Sequence, residues 1–251
     1  MARPYAPSRS SISFGPGPLS STLQILIGAN VALFLAQTLL PDVTVALGLT
    51  PARVVRQFEV WQLGSYMFLH AGIGHLVFNM LALWMFGTEL ERRWGARDFV
   101  RFYLGCGVGA AVITVLFAQL PLDIARALDG ARIIGASGAI YGLLLAYALT
   151  FPDRSIYMYF VFPVPVRIFV LLLGAMAFFF SLTDNGGVAN MTHLGGLLVG
   201  YLLLRGSRFR PLSEAKYWYL RWKMHRVRKK FDVYEGGRGQ GRPGGWNSRV
   251  H

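Results

Sequence analysis

Residues 135–152 read GASGAIYGLLLAYALTFP, and their pattern indicates the architecture of the whole chain. The apolar part of this stretch, from Ser137 to Pro152, spans about 15 residues, or roughly 22 Å of helix at 1.5 Å per residue. The hydrocarbon core of a bilayer is about 30 Å thick. The preceding segment, residues 122–132, is mixed and charged and predicts no span. A helix that begins at Ser137 therefore begins below the membrane surface, where irregular backbone must line a protein cavity or a water pocket.

The rest of the chain has the composition of a membrane protein. Hydrophobic residues make up 54% of its 251 positions and charged residues only 15%, against about 25% in a soluble domain. This excludes a soluble globular protein, because only lipid accepts that much apolar surface. The sequence predicts an all-α polytopic membrane protein. Its six predicted transmembrane helices are residues 22–40, 74–87, 99–120, 137–151, 164–182 and 191–204.

The distribution of Lys and Arg predicts the orientation. All but four of the 25 basic residues lie in the N-terminal tail, in residues 92–101, in residues 154–167 or in the tail after residue 204. Cytoplasmic segments carry the excess of Lys and Arg, so both termini are predicted to be cytoplasmic. The four exceptions, which fall on the outer side, are Arg53, Arg56, Arg126 and Arg132.

The chain is predicted to have three parts. Residues 1–21 form a cytoplasmic tail, residues 22–207 form the six-span membrane domain, and residues 208–251 form a basic cytoplasmic tail. A long apolar and aromatic loop, residues 41–74, joins the first two spans and is expected to lie in the membrane interface.

The C-terminal tail mixes aromatic and basic residues between positions 213 and 231. This mixture predicts an interfacial helix on anionic lipid head groups. Nucleic-acid binding is the competing interpretation, and it is less favoured because the tail leaves a membrane helix on its cytoplasmic face. Residues 236–251 are predicted to be disordered.

Cysteine and histidine usage predicts neither disulfide nor metal. The single cysteine, Cys106, has no partner for an internal disulfide and is expected to be a small core residue. No Cys/His cluster has zinc-ligand spacing, and no cofactor is expected.

Polar residues within spans are energetically expensive and point to function. His75 and Asn79 are four residues apart, so they share one helix face and could donate hydrogen bonds to one oxygen. The alternative is that the pair holds two helices together by hydrogen bonds.

Ser137 lies in a Gly-x-Ser-Gly run, Gly135 to Gly138. At a buried helix N-terminus it would face unpaired backbone N–H groups and the positive end of the helix dipole, which suits an oxyanion. The alternative is a small residue that permits close helix packing.

His193 precedes Gly196 and Gly200, which form a small-residue face that lets another helix approach closely. If that helix is the one that begins at Ser137, its Gly138 and Gly142 would allow the close contact between the two helices. His193 would then reach Ser137 and act as its base. The alternative is a helix-capping or interface histidine.

The spans contain no Asp or Glu to orient His193, so a dyad is expected rather than a triad. Tyr141, one turn below Ser137, could pack against the imidazole. It could also simply fill space.

Taken together, His75-x-x-x-Asn79, Gly135-x-Ser137-Gly138 with Tyr141, and His193 with its glycines at +3 and +7 resemble the rhomboid family in its six-span bacterial form. The resemblance extends over about residues 23–204. One departure is Trp61-Gln62, where the family often has Trp-Arg; Arg53 or Arg56 is a candidate replacement.

The resemblance implies an intramembrane serine protease in a bacterial inner membrane. Ser137 would be the nucleophile and His193 the general base. The Ser137 N–H with the side chains of His75 and Asn79 would form the oxyanion hole, and Tyr141 would stack beneath His193. Single-span membrane proteins would be the substrates. The fifth span and residues 183–190 are candidates for a mobile gate.

Two other functions are weighed against the protease. A catalytically silent relative could bind membrane helices as a chaperone without using Ser137. A small transporter or channel could use His75, Asn79 and His193 as a polar path, although transporters often consist of repeated halves and the sequence has no convincing internal repeat.

Overall fold

The computed structural model describes residues 16–158, 162–182 and 187–206. The predicted tail segments 213–231 and 236–251 and residues 183–186 of the predicted gate loop lie outside these residues.

The described residues form ten α-helices, one 3-10 turn and one two-stranded sheet. Each of the six apolar stretches coincides for most of its length with one helix, although residues 164 and 165 of the fifth stretch belong to a strand. In chain order the elements are α1 (Ser21–Leu39), α2 (Asp42–Leu47), α3 (Pro51–Arg56), α4 (Gln62–Ser65), the 3-10 turn Tyr66–Phe68, α5 (Ile73–Trp94), α6 (Ala96–Ala118), α7 (Asp123–Asp129), α8 (Ser137–Thr150), β1 (Ser155–Met158), β2 (Phe162–Pro165), α9 (Val166–Ser181) and α10 (Gly187–Arg205).

Three described helices, α1, α5 and α6, are long and apolar enough to cross a membrane. The helices α8 and α9 are also apolar but have only 14 and 16 residues. At 1.5 Å per residue, α8 is about 21 Å long. The short helix predicted from Ser137 is therefore present with nearly the predicted limits.

The expectation of an all-α chain was wrong at one connection. The strands β1 and β2 form an antiparallel hairpin between α8 and α9, with Ser155 opposite Pro165. Pro163 and Pro165 explain the extended backbone, because proline lacks the N–H that a continuing helix requires and disfavours helical geometry in the residue before it.

The connection between α1 and α5 is ordered as three short helices and a 3-10 turn. Gln62, which is fully buried, accepts a hydrogen bond from Thr50 N at 2.9 Å and donates to Glu59 at 2.6 Å. Arg53 bonds the same carboxylate, whereas Arg56 pairs with Asp129. Gln62 itself therefore anchors this loop, and Arg53 supports it through Glu59.

Helix α8 lies at the centre of the bundle, where it packs against α5, α6, α9 and α10. Fully buried side chains from α6, including Phe102 and Tyr103, form much of the surrounding core. Many large apolar side chains on the outside of the bundle are exposed, as on Leu171 of α9 and Phe78 of α5. A membrane protein covers such surfaces with lipid.

Candidate active site

The backbone that leads into α8 is held by the loop between α1 and α5. Ile133 exchanges two backbone hydrogen bonds with Leu49, and Gly135 N donates to Tyr66 O at 2.9 Å. Gly135 has a φ of +131°, a conformation that side chains with a Cβ rarely adopt. The chain can therefore turn sharply just before Ser137.

Ser137 is the first residue of α8. The capping residue, Ala136, has no side chain that could accept from the first-turn N–H groups. The first four N–H groups of a helix have no partner within the helix, so they can bind an oxygen with negative charge. Ser137 thus carries its hydroxyl beside a set of available backbone donors.

His193, on α10, reaches this hydroxyl. Its Nε2 lies 2.8 Å from Ser137 Oγ, a distance at which a serine proton can pass to an imidazole. The sequence predicted this contact between the fourth and sixth apolar stretches, and the structure contains it.

The imidazole of His193 is oriented by an aromatic ring. The rings of His193 and Tyr141 are stacked, with centroids 4.3 Å apart and planes 4° from parallel. Within the described part of the chain, the buried Nδ1 of His193 has no hydrogen-bond partner. No carboxylate from these residues orients the ring, so the arrangement is a pair of side chains supported by Tyr141.

His75 also lies close to Ser137. A Cβ added to Gly135 would be 3.0 Å from His75 Nε2 and 3.6 Å from Ser137 Oγ. The His75 imidazole and the Ser137 hydroxyl therefore both lie close to Gly135. A side chain at position 135 would collide with the imidazole, which is a second reason for glycine there.

Asn79 follows His75 by one helical turn. Its Nδ2 donates to His75 O at 2.7 Å, and the side chain is buried. The amide carries two N–H bonds, so this contact leaves one for another acceptor. As predicted, His75 and Asn79 occupy one face of α5, and His75 lies beside the backbone that leads into α8.

The predicted glycine contacts between α8 and α10 are present. A Cβ on Gly196 would overlap the carbonyl oxygen of Gly138, and one on Gly200 would lie 2.9 Å from Gly142 Cα. The same approach brings Gly138 close to Thr192, the residue before His193. Backbone contact between the two helices therefore sets the distance between Ser137 and His193.

Sequence reasoning missed several supporting residues. Thr114 of α6 lies 3.0 Å, oxygen to oxygen, from Thr192, and this hydrogen bond fixes α10 beside the site. Tyr66 donates to Gly107 O at 2.8 Å and packs under Gly138. Thr114 could have been found from the sequence, because it is a polar residue inside an apolar span. Tyr66 could not, because it belongs to a loop and its sequence context does not indicate this contact.

The described residues contain no group of three or more His, Cys, Asp or Glu side chains that could hold a metal ion.

Comparison with known proteins identifies the class. Residues 57–206 match the Rhomboid domain family, and this range contains every residue assigned above to the candidate site. The chain belongs to the rhomboid family. Its apolar helices and its family make it an integral membrane protein.

Similar proteins come from a bacterium, a fungus and a plant. "Rhomboid protease GluP" of Bacillus subtilis is 32% identical over 160 residues, which cover 64% of this chain and 28% of that protein. "Rhomboid protein 1, mitochondrial" of Saccharomyces cerevisiae is 32% identical over 161 residues, which cover 61% of this chain and 45% of that protein. "RHOMBOID-like protein 2" of Arabidopsis thaliana is 30% identical over 185 residues, 73% of this chain and 53% of that protein. The matched regions are thus about a quarter to a half of these relatives' lengths.

Proposed function

We propose that this protein is an intramembrane serine endopeptidase that cleaves transmembrane segments of other membrane proteins with a Ser-His dyad. The observation that carries the proposal is the 2.8 Å separation of Ser137 Oγ and His193 Nε2, combined with the stacking of Tyr141 on the imidazole. The name of the Bacillus subtilis relative, which calls it a protease, supports the same activity.

The chemistry begins with proton transfer. His193 Nε2 takes the proton of the Ser137 hydroxyl as the oxygen attacks the carbonyl carbon of the scissile peptide bond. The C–O bond forms, the carbonyl π electrons move to oxygen, and the imidazolium then gives its proton to the leaving amine as the C–N bond breaks. A water molecule, deprotonated by the same imidazole, hydrolyses the acyl-enzyme.

The negative oxygen needs donors that are already in place. The Ser137 N–H, His75 and Asn79 would supply them. Ser137 begins α8, His75 lies close to it, and Asn79 follows His75 by one helical turn and bonds its carbonyl oxygen. Preorganised donors in a site sheltered from bulk water stabilise the oxyanion more strongly than water does. His193, Ser137, His75 and Asn79 are therefore the residues proposed to perform catalysis.

The proposed substrates are single-span membrane proteins. A peptide bond within a helix is shielded, so the substrate must unwind locally, and helix-breaking residues near the cut would lower that cost. The shortness of α8 supports a site below the outer surface, since its roughly 21 Å fall short of a hydrocarbon core of about 30 Å.

The proposed topology has six spans with both termini cytoplasmic, within a membrane domain of residues 22–207. The basic residues in the last turns of α5 and α10 support this orientation, since Arg92, Arg93 and Arg205 would lie on the cytoplasmic side. A bacterial inner membrane is the proposed location. Reporter fusions that are active on only one side of the membrane, placed after residues 94, 120 and 206, would test the orientation.

The deciding experiment uses the purified full-length protein in detergent and in lipid vesicles. A reporter with one transmembrane segment is incubated with wild type, Ser137→Ala and His193→Ala, and the products are analysed by mass spectrometry. Wild type should cleave, and both variants should be inactive while unfolding at a similar temperature. Full activity in His193→Ala would disprove the dyad.

A fluorophosphonate probe separates the protease from the silent alternative. Covalent labelling of Ser137 in wild type, lost in Ser137→Ala, is expected of an activated serine. A folded wild-type protein that neither labels nor cleaves would instead indicate a relative that binds membrane helices without cutting them.

A further inference from the structure

A glutamine outside the matched family range holds the loop that precedes α5. Gln37, near the end of α1, makes two hydrogen bonds with the backbone of one residue. His70 N donates to Gln37 Oε1 at 3.0 Å, and Gln37 Nε2 donates to His70 O. The amide side chain thus bonds both the N–H and the C=O of His70, as the backbone of a neighbouring β-strand would. These two bonds fix the orientation of the peptide groups before and after His70.

The next backbone group along the chain contacts a proposed catalytic side chain. Ala71 N donates to His75 Nδ1 at 3.3 Å. In a neutral imidazole one nitrogen carries hydrogen and the other accepts. Because Nδ1 accepts here, the hydrogen of His75 resides on Nε2, and the hydrogen bond to one nitrogen decides the state of the other.

The protonated nitrogen of His75, Nε2, is the one that lies near Ser137, where the reaction requires a donor. A Cβ built on Gly135 would be 3.0 Å from His75 Nε2 and 3.6 Å from Ser137 Oγ. The Nε2–H of His75 is therefore near Ser137, where an oxyanion would form. Were Nδ1 to carry the hydrogen instead, a lone pair would face the oxyanion and repel it.

The ring of His70 contributes a second constraint. It is fully buried and lies edge-on to the ring of His75, with centroids 5.1 Å apart. Its ring nitrogens are buried and make no hydrogen bond of ordinary geometry with another described residue, although the backbone of Phe68 lies close to the ring. The position of this ring therefore depends on its backbone, which Gln37 holds, and on packing.

We propose that Gln37 is a positioning residue for catalysis. Through the backbone of His70 and Ala71, it fixes His75 as the Nε2–H tautomer aimed at the oxyanion. The inference rests on the proposed function. It means that α1, which supplies no catalytic side chain, controls the orientation of one donor of the oxyanion hole.

The test replaces Gln37 with methionine, which has similar length but cannot make either hydrogen bond. Complete loss of an oxyanion donor costs about 10²–10³-fold in kcat, so a misoriented donor should cost less, roughly tenfold. KM should change little, because the donor acts on the transition state. Gln24→Met is the matched control, since Gln24 is an exposed glutamine of the same helix whose side chain donates to Leu19 O, away from the site. Its kcat should equal that of wild type.

A double-mutant cycle distinguishes positioning from general loop anchoring. If Gln37 acts through His75, then Gln37→Met should lower the rate of a His75→Ala enzyme by less than about twofold, because coupled residues are not additive. Residual activity can be followed as the maximal rate of fluorophosphonate labelling. A full tenfold loss in both backgrounds would overturn the inference.

Imidazole ¹⁵N shifts provide a readout that does not depend on activity. The chain has 5 histidines, so the His75 signals can be assigned from a His75→Ala sample. Wild type should show a single Nε2–H tautomer at His75, and Gln37→Met should show a mixture. Unchanged His75 shifts in Gln37→Met would overturn the inference. An inert wild-type enzyme would overturn the proposed function alone, and the shifts would still decide the role of Gln37.

Discussion

At the scale of single residues, the candidate site consists of side chains that are ordinary by themselves. Ser137 is a small residue in an apolar helix, and His193 is one polar residue in the second turn of another. The geometry gives them their significance, because the hydroxyl and imidazole lie 2.8 Å apart and the imidazole is stacked on Tyr141. The sequence suggested each residue together with a plain structural alternative, and it took their joint order along the chain to favour chemistry.

Asn79 is expected to assist the reaction without being indispensable. Asn79→Ala should lower kcat by about 10²–10³-fold, the effect of losing one oxyanion donor, and should leave more activity than Ser137→Ala. Cleavage of the transmembrane reporter measures both. Asn30→Ala is the control, because Asn30 makes the same bond to the carbonyl four residues earlier, Leu26 O at 2.8 Å, but lies in α1. Equal inactivity of Asn79→Ala and Ser137→Ala would contradict this ranking.

His70 should make the folded protein sensitive to acid. Burial, and then the charge of the neighbouring His75, lower the pKa of His70 from 6.5 to about 4. Between these two values the unfolded chain binds a proton that the folded chain does not, so stability falls as pH decreases from 6.5 towards 4. The Tm in detergent should therefore be lower at pH 5 than at pH 7.

The variant His70→Phe keeps a buried ring that cannot be protonated, so its Tm should depend less on pH over the same interval. An identical loss of Tm in both proteins would show that other groups cause the acid sensitivity.

At the scale of elements, the contact between α8 and α10 determines the site. Glycines face each other at two levels, Gly138 against Gly196 and Gly142 against Gly200. Small residues at such positions let backbones approach closely, and this is how helices associate when lipid provides no hydrophobic force between them. A shift of α10 away from α8 would separate His193 from Ser137 directly.

Gly196→Ala should therefore damage both stability and activity. The added methyl group would overlap the carbonyl oxygen of Gly138, and overpacking of this kind typically costs about 1–3 kcal/mol. The Tm and the fluorophosphonate labelling rate of folded protein should both fall.

Gly28→Ala is the matched control for that substitution. Gly28 lies within α1, and no atom surrounds the position of its missing Cβ within 4 Å. Alanine also favours helix over glycine by up to about 1 kcal/mol, so this variant should be unchanged or slightly more stable. A Gly196→Ala protein that behaves like Gly28→Ala would refute the role given to the glycine contact.

At the scale of the whole molecule, the helical bundle and the tails are expected to have separate tasks. The proposed chemistry lies within residues 37–196, whereas the basic tail lies outside the residues that the structure describes. The net charge of +13 arises largely from that tail, which favours contact with anionic lipid over any role in catalysis.

Removal of residues 213–251 should leave cleavage in detergent within about twofold of wild type, because no proposed donor or base is lost. In vesicles, any acceleration by anionic phosphatidylglycerol over phosphatidylcholine should diminish, since each basic residue near such a surface contributes about 1 kcal/mol. Complete loss of activity in detergent would show that the tail takes part in folding or catalysis.

The sequence alone was enough to predict the apolar helices, the short helix at Ser137 and the polar residues that are candidates for the site. Those features follow from local quantities, namely hydropathy, helix rise per residue and the cost of polar groups in lipid. The folded structure was needed for three further features: the hairpin between α8 and α9, the anchoring of the loop by Gln62, and the link from Gln37 through His70 to His75. These depend on contacts between residues far apart in the chain, and a hydrogen bond between a glutamine and a distant backbone leaves no periodic pattern in the sequence.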